Sequence, residues 1–163
     1  MQRRLSRRTF NKLSLLAGTS VFALPTWSSA ELATATAIEL TPEEHALFRS
    51  FAETLIPTEG TALRPLTDVP VVDNIARALA FLDEPTLDEV RMGLKLFDYG
   101  PFVIGFHFKR FSALSNADRE AYIRRWEDGV TIQRGVVDLL KKLTFIGYWQ
   151  DIEAARAVGY RGP

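Results

Sequence analysis

From Leu47 to Phe145 the large apolar residues of this chain return every three or four positions, and no stretch alternates apolar with polar residues between turn dipeptides. That spacing suits the ~3.6-residue turn of an α-helix and not the two-residue repeat of a strand, so no strands are expected. The first helix opens at Thr41, with Pro42 at the first helical position and Glu44 placed to complete a capping box. Leu47, Phe48, Phe51, Ala52, Leu55 and Ile56 then share one face, and Pro57 ends it. Residues 57–69 read as a surface loop. Asp68 is expected to cap a second helix with Val71, Val72, Ile75, Leu79 and Leu82 inside. A break at Asp83-Glu84-Pro85 leads to a third, with Leu87, Val90, Leu94 and Phe97 as its stripe. Gly100-Pro101 predicts a fresh start and a short helix over 101–111. Ser115 and Asp118 suggest a capping box for a helix carrying Tyr122, Ile123 and Trp126 and closed by Gly129. The longest helix runs from Thr131 to about Tyr148, with Val136, Val137, Leu140 and Phe145 inward, and Asp151 to Val158 forms the last. The fold class expected is all-α, a single compact bundle of about five to seven helices.

Ahead of the bundle stands a different kind of segment. Ser6-Arg7-Arg8-Thr9-Phe10-Asn11-Lys12 reads as a bacterial twin-arginine export signal, with Arg7, Arg8, Phe10 and Lys12 as its marks. A mildly apolar run from Leu13 to Leu24 follows, then Ser28-Ser29-Ala30, with cleavage expected after Ala30. Ser14, Gly18, Thr19 and Ser20 dilute the run, which falls short of the ~20 apolar residues that span a bilayer. A retained membrane helix and a basic tail are the weaker readings. The organisation expected is therefore a signal peptide over 1–30, a tether without structure over 31–40 and a helical domain over 41–163. The destination is the periplasm.

The signal holds five of the 20 basic residues and no acidic one, so the remainder carries 15 positive against 20 negative charges, a formal −5. That argues against nucleic acid or anionic lipid as a partner. The chain contains no cysteine, which rules out disulfides, thiolate metal sites and covalent C-x-x-C-H haem attachment.

The twin-arginine route carries proteins already folded, commonly around a cofactor, yet no cofactor motif is present. Neither Gly-x-Gly-x-x-Gly, Gly-x-x-x-x-Gly-Lys nor Gly-x-Ser-x-Gly occurs. His45 falls on the outer side of the first helix, and His107 has no H-x-x-E or H-x-x-x-H spacing around it. The pairs Glu43-Glu44, Asp83-Glu84 and Asp88-Glu89 sit at or next to helix starts, where the helix dipole favours negative charge. No catalytic, cofactor or metal residue is assigned. What remains is an excess of aromatics between Phe97 and Phe111 and at Tyr148, Trp149 and Tyr160. Some belong to the core of a small helical domain. Others suit a subunit interface, for which Phe102, Phe106, His107, Phe108, Arg110, Tyr148, Trp149 and Tyr160 are the candidates.

The twin-arginine leader, Leu47-Phe48-Arg49-Ser50-Phe51-Ala52-Glu53-Thr54-Leu55-Ile56-Pro57 and Val71-Val72-Asp73-Asn74-Ile75 together resemble the gluconate 2-dehydrogenase subunit 3 family. Arg110-Phe111-Ser112-Ala113-Leu114, Arg119 to Trp126 and the ending Gly159-Tyr160-Arg161-Gly162-Pro163 fit it as well. Tyr148-Trp149-Gln150 departs from it, a Tyr-Tyr pair being commoner there. The resemblance implies a non-catalytic small subunit of a membrane-associated periplasmic dehydrogenase. Its large partner is an FAD-binding enzyme of the glucose–methanol–choline type acting on a sugar or alcohol, and a cytochrome c subunit often receives the electrons. It also resolves the missing cofactor: the flavin sits in a partner that this chain escorts through the twin-arginine translocase. The alternative is a stand-alone periplasmic enzyme or small-ligand binder with a pocket around His107 and the aromatics.

Overall fold

The computed structural model describes residues 29–103 and 108–159. The export-signal residues Arg7, Arg8, Phe10 and Lys12 lie outside them, as do Phe106, His107 and Tyr160. Among the described residues the chain is all-α, as its periodicity predicts. In chain order the elements are α1 (Ser29–Thr34), α2 (Pro42–Leu55), α3 (Val71–Leu79), α4 (Glu84–Val103), a 3-10 turn (Phe111–Ala113), α5 (Asn116–Glu127), α6 (Thr131–Trp149) and α7 (Ile152–Ala157).

Helix α6 is the post around which α2, α3, α4, α5 and α7 pack. Its buried seam is Val137, Leu140, Leu143, Thr144, Gly147 and Tyr148. Phe145, expected inside, is instead exposed, because one step beyond Thr144 turns a side chain roughly 100° away from the seam. The crossing with α3 is close. A Cβ on Gly147 would lie 2.6 Å from the Val71 carbonyl oxygen. Asn74, buried in α3, donates from Nδ2 to the Gly147 carbonyl at 2.8 Å.

The start of α2 follows the sequence closely. Thr41 Oγ1 accepts from the Glu44 N–H at 3.2 Å, and Glu44 Oε2 accepts from the Thr41 N–H at 2.9 Å. The other oxygen of Glu44 lies 3.2 Å from Arg91 Nε, so the residue that closes the cap also ties α2 to α4. Ser115 caps α5 through its Oγ, which accepts the Asp118 N–H at 3.3 Å. The Ser115 hydroxyl in turn donates to the Asp118 carboxylate at 2.6 Å.

Three local expectations fail. Asp68 does not cap α3: the helix begins at Val71 with Pro70 in the cap position and no side-chain cap. The residue before a proline is pushed out of helical geometry, which excludes an earlier start through Val69. Residues 31–40, read as a tether, lie against the bundle: Leu32 is buried, the Ile38 N–H donates to the Ala76 carbonyl at 3.2 Å and Arg91 Nη2 donates to the Glu39 carbonyl at 3.1 Å. Their apolar residues are too few and irregular to show a period, though Leu32 is buried and Ile38 and Leu40 pack against the core.

Gly100-Pro101 does not break α4, which continues through it to Val103. A proline here forfeits the N–H that would bond the carbonyl of Phe97. Tyr122 of α5 replaces it, its hydroxyl donating to the Phe97 oxygen at 3.0 Å. Gly100 makes the room, since a Cβ there would fall on the Tyr122 hydroxyl and 3.1 Å from Trp126 Cζ2. The helix is thus uninterrupted because a donor arrives from another element.

Candidate partner interface

The aromatic stretch divides into an inner and an outer set. Phe97 is the centre of the inner one, with Phe111 at 4.8 Å, Trp126 at 4.9 Å, Tyr122 at 5.1 Å and Phe51 at 5.8 Å between ring centroids. Edge-on and tilted arrangements of this kind add to burial. Burial pushes the Tyr122 phenol well above its ordinary range. The cluster fills its own space.

The 3-10 turn that delivers Phe111 to this cluster is held from three sides. Asp98, buried in α4, accepts the Ser112 N–H at 3.1 Å. The Ser112 carbonyl accepts from Arg119 Nη2 of α5 at 2.9 Å and from Ser50 Oγ of α2 at 3.3 Å. Arg110, just ahead of the turn, is thereby brought to one end of α4. Arg110 stacks there with its guanidinium carbon 4.5 Å from the centre of the Tyr99 ring, and its Nη1 lies 3.7 Å from Glu43. Tyr99 in turn stacks on Phe102, with 6.3 Å between centroids and 27° between planes.

Of the residues expected at an interface, Phe102 and Trp149 are exposed and Phe108 is almost wholly in solvent at 96%. Arg110 is half-buried by its stack. Tyr148 belongs to the core: it is fully buried, and its hydroxyl donates to the Arg64 carbonyl at 2.8 Å. Its neighbour Trp149, one residue round the helix, takes the outward position and meets the Tyr148 ring edge-on at 4.9 Å. Ala30 lies within α1.

The sequence reading passed over a second feature of α4. Met92, Leu96, Tyr99 and Val103 are exposed by 69, 53, 41 and 86%. They follow one another by four, three and four residues, and so form a single outward stripe roughly 16 Å long. The buried series Val90, Leu94, Phe97 and Pro101 has the same spacing two residues earlier, on the opposite side. Two interleaved apolar series are the signal in the sequence, and spacing alone does not set which of them faces outward.

On another flank, α2, the 57–73 segment and α5 enclose an open groove of about 1020 Å³. His45 is exposed on its rim. Arg49 and Arg119 line it, and each lies 3.2 Å from a carboxylate oxygen of Glu53. Both cations therefore face a carboxylate already within the groove. Among the described residues no three His, Asp or Glu side chains gather in a way that would hold a metal ion.

Comparison with curated proteins and with solved structures returned no match. A family model does match, that of gluconate 2-dehydrogenase subunit 3, over residues 42–161. The match begins at the first residue of α2 and takes in every helix from there through α7, including the stripe and the stacked arginine. The chain belongs to the gluconate 2-dehydrogenase subunit 3 family, whose members are accessory subunits of a dehydrogenase complex.

Proposed function

We propose that this chain is the non-catalytic small subunit of a periplasmic FAD-dependent sugar or alcohol dehydrogenase, and that it stabilises the flavoprotein subunit and carries it through the twin-arginine translocase. The observation that carries the reading is the outward placement of large apolar side chains, Phe108, Val103 and Met92 foremost, on a domain whose family serves a dehydrogenase. Exposed apolar surface of this kind is characteristic of subunits that live in contact with another chain. The leader supplies the second part of the reading. Arg7-Arg8 with Phe10 and Lys12 requests export in the folded state, and a flavoprotein without its own signal needs a signal-bearing companion.

The flavin belongs, in this reading, to the partner of the glucose–methanol–choline type. The described residues here do not fit an isoalloxazine ring: the aromatic cluster is closed, and the groove beside His45 is open and lined by ion pairs. A cytochrome c subunit would take the electrons onward, and the complex would lie at the inner membrane through its other subunits. Fractionation of cells carrying the tagged chain tests the proposal. Flavin-containing protein should co-purify with the chain from the periplasm. Replacing Arg7 and Arg8 by lysine should leave both in the cytoplasm. Export of the flavoprotein in cells lacking this chain would refute it.

A further inference from the structure

Resting on the proposed small-subunit role, we propose that the outward stripe of α4, rimmed by Lys95, Lys109 and Arg110, is the seat of the catalytic subunit, which meets it with an apolar surface edged by carboxylates. A helix that is apolar on one face is anchored by that face alone, whereas one that is apolar on opposite faces is buried on both in its working state. The inner series of α4 has its core. The outer series, Met92, Leu96, Tyr99 and Val103, has none among the described residues.

The size of the surface points to a protein partner. Counting about 200 Å² for an aromatic side chain, the exposed fractions of Tyr99, Phe102 and Phe108 alone leave roughly 350 Å² of ring surface in water. With Met92, Leu96 and Val103 added, the patch goes well beyond the few hundred Å² usual on a monomer and approaches the ~800 Å² that each partner contributes to a stable complex.

Charge selects the chemistry of the occupant. The chain beyond its leader is acidic by five charges, and Asp88 and Glu89 stand one turn before Met92, yet the end of the stripe near Tyr99 carries Lys95 one turn before it and Arg110 stacked on its ring, with Lys109 next in the chain. Asp98, the acidic residue of that stretch, is buried on the inner side with its carboxylate on the Ser112 N–H. Arg110 is held at the edge by its stack on Tyr99, with Glu43 at 3.7 Å as its neighbour. A fixed guanidinium beside exposed rings is the arrangement found at binding hot spots. Carboxylates on the partner would pair with this rim. A second copy of the chain would bring the same cations against them, unless its own acidic surface were offered instead.

The test uses the full-length tagged chain expressed with its flavoprotein in the native host, and reads flavin absorbance per mole of captured chain. Leu96→Asp and Met92→Glu should each lower captured flavin by about tenfold or more, with the melting temperature of the captured chain unchanged. Val158→Asp, at an exposed apolar position beyond α7, should capture flavin as the parent does. Arg110→Glu should reduce capture most at low salt. Parent-level flavin with both stripe variants overturns the assignment while leaving the small-subunit role intact. Loss of self-association in Leu96→Asp with capture unchanged overturns it in favour of a second copy. A parent chain that captures no flavoprotein removes the functional reading itself.

Discussion

The slot formed by Gly100, Pro101 and Tyr122 can be tested by a double-mutant cycle whose outcome follows from the geometry. Tyr122→Phe deletes the hydroxyl that donates to the Phe97 carbonyl at 3.0 Å, and Pro101 has no N–H to substitute. An abandoned buried carbonyl costs about 2 kcal/mol. Gly100→Ala places a Cβ on the tyrosine hydroxyl and 3.1 Å from Trp126 Cζ2, so the ring must move and the bond is lost. The lost bond and the overpacking cost roughly 2 kcal/mol each, and the helix propensity of alanine returns about 1 kcal/mol, leaving a net loss of about 3 kcal/mol. With the hydroxyl already gone, the new methyl group meets only the 3.1 Å and 3.3 Å contacts to Trp126 and the ring of residue 122. The double variant should therefore be about as stable as Tyr122→Phe alone, a coupling of roughly 3 kcal/mol. Urea unfolding of the purified chain followed by circular dichroism, with a common slope for all four proteins, gives the numbers. Additive losses, within about 0.5 kcal/mol, would mean that tyrosine and glycine do not share this space.

Other consequences can be checked in the same preparation. Asn74→Ala leaves the Gly147 carbonyl without its 2.8 Å partner and should cost about 1–3 kcal/mol in urea unfolding. Gly147→Ala, despite the gain in helix propensity, should lower the melting temperature by several degrees, because its Cβ meets backbone of α3 at 2.6 Å. Thr41→Ala should cost about 1 kcal/mol by removing the cap of α2. The Tyr122 and Tyr148 phenols are both raised chiefly by burial, so folding favours their neutral forms. That stability is fully present below the ordinary tyrosine value of about 10 and declines as pH rises beyond it, because the unfolded chain loses the protons first. Tyr122→Phe should flatten the alkaline fall in a pH series of melting temperatures.

Where the sequence could be read, the deciding interaction was local. Thr41 with Glu44, and Ser115 with Asp118, announce their helix starts because cap and capped residue stand three positions apart. The heptad-like return of Phe48, Phe51, Leu140 and their neighbours likewise settles the all-α class. The failures share the opposite property. Gly100-Pro101 reads as a break until Tyr122, a residue of another helix, supplies the missing donor. Asp68 looks like a cap until Pro70 forbids its use. Tyr148 and Trp149 are equivalent in composition, and only the phase of α6 against α3, set by the glycine at 147, turns one inward and the other out.

The stripe on α4 is the most instructive case, because local reading finds both apolar series and cannot tell which is inside. The decision is made by Gly93 and Gly100. Their missing side chains let α4 lie against Val136 of α6 and Tyr122 of α5, so that the 90–94–97–101 series faces the bundle. A Cβ at Gly93 would stand 3.3 Å from the Val136 side chain, and one at Gly100 on the Tyr122 hydroxyl, so the glycines mark the inner face as surely as the buried residues do. Once that face is fixed, Met92, Leu96, Tyr99 and Val103 point outward and stay exposed among the described residues. The same close packing that buries the inner series turns the outer one toward the partner proposed for it, and a change at either glycine should disturb stability and partner binding together.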